Sequence, residues 1–261
     1  MLTTLQLTIE QHIATLAFHR PEQMNALNDM MAFELETVTE QLRQDTRIRA
    51  VLLKGTGPLF MAGGDIQFFH SRLDHMPAGI KRIVHAVNTA VLNLMRMPKP
   101  VLACVHGSVA GVGMSLMMAC DLVIAEAQTR FTLAYSGIGI TPDGGASFLL
   151  PRIVGTKKAM EWTLLPDLFT AQTAKDAGLI NWLAPADSLE RETQRLLGRL
   201  ANGPTQSYAH SKRLINESLQ HSLETQLERE AEAFEICSIT QDFKSGVQHF
   251  LRKSRPEFTG K

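Results

Sequence analysis

An α/β fold is predicted by a change in hydrophobic periodicity along the chain. Strand-type runs and helical stripes interleave as far as residue 185, and helical patterns alone occupy 186–261. A second observation agrees with this. Segments 60–66 and 106–113 each follow a strand pattern and lead through small residues into a helix. The expected organisation is therefore an α/β core over 1–185 and a helical region over 186–261.

LQLTI at 5–9 and IATLAFH at 13–19 alternate and predict a hairpin, closed by Arg20-Pro21. Asn28 or Asp29 can cap a helix whose apolar face is Met31, Leu35, Val38 and Leu42. AVLLKG at 50–55 reads as a buried strand, and TGPLFMAGGD as the loop after it. Ile80, Ile83, Val84, Val87, Val91, Leu94 and Met95 form a helical stripe that Pro98 and Pro100 end. His85 is placed on that stripe as a packing residue. Next come a strand (VLACV), a turn (GSVAGVG), a helix (MSLMMAC) and a strand (DLVIAE). Thr156 to Leu165 and TAQTAKDAG read as helices, the second stopped by Gly178, and LINWLA as a strand. Four helices are expected over 188–201, 204–218, 223–237 and 242–250.

Composition narrows the function classes. Twenty-six basic and 26 acidic residues give zero formal net charge, and no basic block stands out. A nucleic-acid binder or a binder of anionic membranes would cluster Lys and Arg, so neither is expected. Pro100 to Cys120 carries no Asp, Glu, Lys or Arg. Its glycines and His106 divide it into strand, turn and helix rather than a membrane span. Cys104, Cys120 and Cys237 lack metal-ligand or CxxC spacing. They are read as reduced core thiols of a cytoplasmic protein with no bound metal. The start, MLTTLQLTIEQHIATLAFHR, lacks the basic and apolar regions of a signal peptide.

The two small-residue turns share one physical design. Small residues let main-chain N–H groups approach a ligand, and a helix start leaves N–H groups unpaired. Two such amides converging on one carbonyl oxygen would make an oxyanion hole. From the residues alone, ordinary strand-to-helix connections are the favoured account of both turns.

Four ordered motifs carry a resemblance. They are HRPEQMNALN, FMAGGDI, KPVLACVHGSVAGVGMSLMMACDLVIA and GITPDGGASFLLPRIVG, with a tail ending FLRKSRPEF. In order and spacing, across essentially the whole chain, they are similar to the crotonase family, the enoyl-CoA hydratase/isomerase superfamily. The resemblance implies a right-handed spiral of ββα units followed by a helical region that builds a homotrimer or a dimer of trimers. It implies an acyl-CoA thioester as substrate, with coenzyme A arriving as part of that substrate and no separate cofactor. Gly64 and Val112 are then the amide donors to the thioester oxygen. Val112 stands where many relatives have glycine, which leaves its N–H intact. Met24, Ala26, Ala62, Gly63, Asp65 and Ile66 fall against the coenzyme, with Asp65 also capping the next helix. Ser108 and Ala110 of the second turn, together with Ser115 and Tyr135, fall against the substrate.

Reaction type is less specific. Hydratases of the family use two glutamates, and the matching positions here are Ser115 and Tyr135. Serine does not ionise usefully, and the ordinary tyrosine pKa is about 10. Asp143, in TPDGG, is the nearby carboxylate. On the residues alone it is a turn former; by resemblance it is the acid/base of an isomerase. One carboxylate suffices to take a proton beside the thioester and return it further along the chain. An enoyl-CoA isomerase is therefore expected, with a hydratase as the alternative. An aryl-CoA dehalogenase and a non-catalytic coenzyme A-binding protein stand further off. GMSLM lacks the second glycine of a serine nucleophile elbow, so Ser115 is read as a pocket hydroxyl. Tyr135 either shapes the acyl pocket or fills core. His106 is read as structural. Lys253 and Arg255 either meet coenzyme phosphates or form a solvated tail.

Overall fold

A computed structural model describes residues 2–73 and 76–261. The expected hairpin forms from β1 (Leu5–Glu10) and β2 (Ile13–Phe18), paired antiparallel from Leu5 opposite Phe18 to Glu10 opposite Ile13. Its turn uses the left-handed residues Gln11 and His12. From β2 onward a large sheet grows by parallel additions: β3 (Ala50–Gly55), β4 (Val101–Val105), β6 (Leu122–Glu126) and β9 (Trp182–Ala184). A second sheet has the order β5 (Ser108–Ala110), β7 (Arg130–Thr132), β8 (Phe169–Thr170). The chain alternates between the two sheets as it advances, from β4 to β5 and from β6 to β7. The α/β expectation holds, with helices alone after β9.

The parallel strands read as continuous apolar runs because both faces are covered. Val51 and Leu53 of β3 face the main core, together with Leu35 and Leu42 of α1 (Asp29–Gln44) and Val87 and Leu94 of α3 (Met76–Arg96). The alternate residues Leu52, Leu102, Cys104 and Ile124 face the other way and pack with Leu196 and Leu197 of α8 (Leu189–Ala201). The first helix of the C-terminal region thus covers the back of the large sheet. It is followed by α9 (Thr205–Glu217), α10 (Leu223–Ser238) and α11 (Gln241–Leu251).

Local chemistry sets the boundaries. Asn28 caps α1 by accepting from the Met31 N–H at 3.0 Å. Glu34, buried in α1, receives the N–H and hydroxyl groups of Thr3 and Thr4 and the Leu5 N–H, which fixes the chain entry into β1. Gly178 (φ +79°) follows α7 (Ala171–Asp176) in the left-handed region, as expected.

Several expectations need correction. The turn read at 107–113 contains strand β5. The helix read from Met114 begins two residues earlier as α4 (Val112–Met118). The helix expected after Asp65 forms as α2 (Ile66–His70), whereas α5 (Ala146–Val154), which carries Pro151 internally, was not foreseen. The short helix α6 (Thr156–Leu164) follows as expected. His85 is exposed rather than packed. It lies two residues from both Ile83 and Val87, about 200° around the helix from either, so it cannot share their buried face. The uncharged stretch from Pro100 to Cys120 forms β4, β5 and α4, and among the described residues no helix is long and apolar enough to cross a membrane.

Candidate active site

Three chain segments are stitched together where the two small-residue turns meet. Met61 pairs with Val109 in an isolated parallel bridge: its N–H donates to Ser108 O at 3.2 Å, and its carbonyl accepts from the Ala110 N–H at 2.9 Å. On the other side, the Ala62 N–H donates to Met24 O (3.1 Å), the Leu27 N–H to Gly63 O (2.8 Å) and the Asp65 N–H to Leu27 O (2.9 Å). The structure therefore brings together Met24, Ala26, Ala62, Gly63, Gly64, Asp65, Ser108, Ala110 and Val112.

Glycine is required at two points of this junction. Gly111 sits at φ +51°, ψ −124°, and a Cβ there would lie 3.3 Å from Gly63 Cα. Gly63 itself is at φ +102°, and its Cβ would lie 3.4 Å from Ala110 O. The two turns touch backbone to backbone. Among the described residues, neither the Gly64 nor the Val112 N–H donates to a main-chain carbonyl. Val112 is the first residue of α4, and Gly64 precedes Asp65, the N-cap of α2. A helix start leaves an N–H such as that of Val112 unpaired by construction.

Asp65 is occupied. It accepts from the Phe68 N–H at 3.0 Å and pairs with Arg20 Nη1 at 3.0 Å, with both side chains largely covered. Arg20 also donates to Ala26 O. The carboxylate therefore caps α2 and ties it to the 20–27 segment. The other anchor is Asn25, fully buried at φ +51°. Its amide donates to Thr56 O (2.8 Å) and Leu59 O (2.9 Å), and its oxygen accepts from the Arg20 N–H at 2.9 Å. The sequence gives Arg20 only the closing of the hairpin with Pro21, and Asn25 no role of its own. The signal available was their place in HRPEQMNALN. Met24 and Ile66 are 56% and 51% exposed and present apolar surface at the rim.

A second cluster forms around Asp143. Tyr135, in the turn after β7, donates its hydroxyl to Asp143 Oδ1 at 2.6 Å. Ser115 of α4 lies 3.1 Å from the Tyr135 hydroxyl and donates to the main-chain O of Asp143 at 2.9 Å. Gly144 (φ +54°) permits this approach, because a Cβ there would fall 2.9 Å from Ser115 Cβ. Burial raises the Asp143 carboxyl above its ordinary value, and the Tyr135 hydrogen bond partly opposes that. Burial, then the adjacent Asp143, raises the Tyr135 phenol, which stays protonated near neutral pH. Ser115 lies three residues along α4 from Val112, on the same side of the helix and about 4.5 Å along its axis.

The other singled-out residues fall elsewhere. His106 bonds Gly57 O through Nε2 at 2.9 Å. Lys253 and Arg255 are exposed in the tail after α11. Cys104, Cys120 and Cys237 are free thiols, and burial raises all three. A cavity of about 600 Å³ lies between α4, α5 and α9, lined by Met117, Phe148, Lys212 and Ile215 among others. Cys120 and Gly178 line it, but none of the residues assigned from the sequence to catalysis or substrate binding does. Among the described residues, no group of three or more His, Cys, Asp or Glu side chains is placed to hold a metal ion.

The family model for enoyl-CoA hydratase/isomerase matches residues 8–261. The chain belongs to the enoyl-CoA hydratase/isomerase family. It is an acyl-CoA-transforming enzyme of that family. It is 34% identical over 258 residues to 1,2-epoxyphenylacetyl-CoA isomerase of Escherichia coli K12, covering 97% of each chain. It is 33% identical over 254 residues to crotonyl-CoA hydratase of Syntrophomonas wolfei, covering 97% of this chain and 96% of that one. Among solved structures, an enoyl-CoA hydratase from Polaromonas sp. JS666 superposes with a TM-score of 0.93 at 30% identity. That match covers 98% of this chain and 99% of the other. The crotonase architecture read from the four motifs is thereby shown.

Proposed function

We propose that this enoyl-CoA hydratase/isomerase family member is an enoyl-CoA isomerase in which Asp143 is the single acid and base. One observation supports this above the rest. Asp143 is a half-buried carboxyl, bonded by a phenol, and a helical turn separates its Ser115 contact from the unpaired Val112 N–H. Relatives named isomerase and hydratase stand at 34% and 33% identity, so similarity does not select the reaction and the side chains must.

In this reading the Gly64 and Val112 N–H groups donate to the thioester oxygen of a 3-enoyl-CoA. The Asp143 carboxylate takes a proton from the carbon next to the thioester. The C–H electron pair moves into the carbonyl, and the resulting dienolate is held by the two amides. The carboxylic acid then returns the proton at the far end of the conjugated system. The oxygen's electron pair re-forms the carbonyl, and the double bond comes to rest beside it. No water is consumed. Hydration would need a base for water and a second acid, and neither Ser115 nor the raised Tyr135 phenol ionises to serve. Met24, Ala26 and residues 62–66 would bed the coenzyme. Ser108, Ala110, Ser115 and Tyr135 would border the acyl group. Exposed apolar residues on the C-terminal helices, among them Ile215, Phe234 and Phe250, supply surface that a homotrimer would cover.

The test is to incubate the protein with 3-enoyl-CoA and 2-enoyl-CoA and follow double-bond migration and water addition. Asp143→Asn is expected to slow migration by roughly 10²–10⁴-fold, the usual contribution of a general acid/base. Migration unchanged in that variant refutes the assignment. Efficient formation of labelled 3-hydroxyacyl-CoA in heavy-oxygen water makes it a hydratase instead. Binding without conversion of any thioester tested makes it a non-catalytic binder.

A further inference from the structure

The Asp143 carboxyl has two oxygens in unlike settings. Oδ1 accepts the Tyr135 hydroxyl at 2.6 Å, a length typical of a hydrogen bond to an ionised oxygen. Oδ2 has no hydrogen-bond partner among the described residues, nor is it sealed away as a buried unpaired atom. The Tyr135 ring is itself fixed. The side chain is 6% exposed, and its hydroxyl is flanked by Ser115 Oγ at 3.1 Å. Ser115 is fully buried, and its proton goes to the main-chain O of Asp143 at 2.9 Å. The hydroxyl proton of Tyr135 is therefore directed at Oδ1 alone. While it is there, an acid proton on the carboxyl must sit on Oδ2. Among the described residues, no charged side chain pairs with the carboxyl, and Tyr135 is the one side chain that hydrogen-bonds it.

We propose that Tyr135 is a positioning residue that makes Asp143 a one-oxygen acid/base. The phenol occupies Oδ1, stops the carboxyl from turning, and leaves Oδ2 to take the proton from the substrate and give it back. Removal and return then occur from one fixed point, hence on one face of the bound thioester. The bond from Ser115 to the main-chain O holds the same residue from behind, so Asp143 is tied at two atoms, one on the carboxyl and one on the backbone. This inference rests on the isomerase reading of Asp143 and adds a role for the residue beside it.

The experiment compares wild type with Tyr135→Phe, which keeps the ring and removes the hydroxyl, and uses two independent readouts. The first is the titration of the Asp143 carboxyl, followed by ¹³C NMR of aspartate-labelled protein and assigned by its absence in Asp143→Asn. Loss of a hydrogen bond to the charged form moves that midpoint to higher pH. The second is steady-state kinetics on a 3-enoyl-CoA. kcat is expected to fall roughly 10- to 100-fold with KM little changed, and the acid limb of the kcat profile to move to higher pH. An unmoved Asp143 midpoint overturns the proposed contact. A moved midpoint with unchanged kcat overturns the positioning role while the isomerase reading stands. Wild type that moves no double bond, with the midpoint still shifted in the variant, sinks the isomerase reading and leaves the Tyr135–Asp143 pairing intact. A variant that fails to fold is replaced by Ser115→Ala. That change frees the Tyr135 hydroxyl from its second neighbour and is expected to lower kcat by about 3- to 10-fold through the same carboxyl; an unaltered kcat counts against the proposal.

Discussion

Gly111→Ala sets backbone strain directly against one of the two proposed amide donors. Gly111 has φ +51° and ψ −124°, a combination that only glycine adopts without strain. Alanine at positive φ has one low-energy basin, near φ +57°, ψ +47°. Moving from ψ −124° into that basin turns the peptide between residues 111 and 112 by about 170°. The Val112 N–H would then point away, and the Gly111 carbonyl would take its place. The alternative is to keep the amide aimed and accept about 1–3 kcal/mol of strain. That option also forces the new Cβ, 3.3 Å from Gly63 Cα, against the facing turn that carries Gly64. Either route disturbs the pair. Removing one oxyanion donor usually costs about 10²–10³-fold in kcat, and that is the expected loss. The assay is double-bond migration on a 3-enoyl-CoA, with thermal unfolding measured in parallel. Gly178→Ala is the control, since it also stands at positive φ (+79°) but away from this junction. It is expected to lower stability and leave kcat unchanged. A Gly111→Ala enzyme with kcat within threefold of wild type would refute the claim that this peptide presents a catalytic N–H.

Two further predictions concern the scaffold. Glu34→Gln leaves at least one of the Thr3, Thr4 and Leu5 N–H groups facing an amide nitrogen, at an expected cost of about 1–3 kcal/mol in denaturant unfolding. Burial raises the Glu34 carboxyl, but the hydrogen bonds from Thr4 and Thr3 outweigh it and hold it below its ordinary 4.5. Its contribution is therefore complete above that value and is lost as pH falls through the lower folded one, so the gap between wild type and Glu34→Gln should close in acid; a constant gap would contradict it. Asp65→Ala removes the cap of α2 and the partner of Arg20, for about 1–2 kcal/mol of stability. A double-mutant cycle with Arg20→Ala should show coupling between the two positions, and strict additivity would show that the ion pair contributes nothing.

Features governed by neighbours in the chain were legible from the sequence. The alternation of β1 and β2, the apolar face of α1 with its Asn28 cap and the Gly178 stop all depend on residues a few positions apart, and each formed as read. The residues of the candidate site were legible only as separate motifs. Strand β5 is three residues long and exists because it pairs with β7 and Met61, which no local pattern encodes. Helix α5 was hidden by Pro151 and by the turn signal of TPDGG. His85 sits in an apolar run but on the solvent side, a placement its two-residue spacing from Ile83 and Val87 already encodes.

Taken alone, the sequence determined the α/β order, the family, the glycine-lined turns and the carboxylate at 143. Tertiary structure decided which atoms meet. Ser115, Tyr135 and Asp143 lie up to 28 residues apart, yet their oxygens come within 3.1 Å of one another. The physical reason is range. Backbone conformation follows from sterics and caps within a turn or two, whereas a hydrogen bond between distant side chains depends on how β7, α4 and α5 dock. That docking is set by the whole core at once.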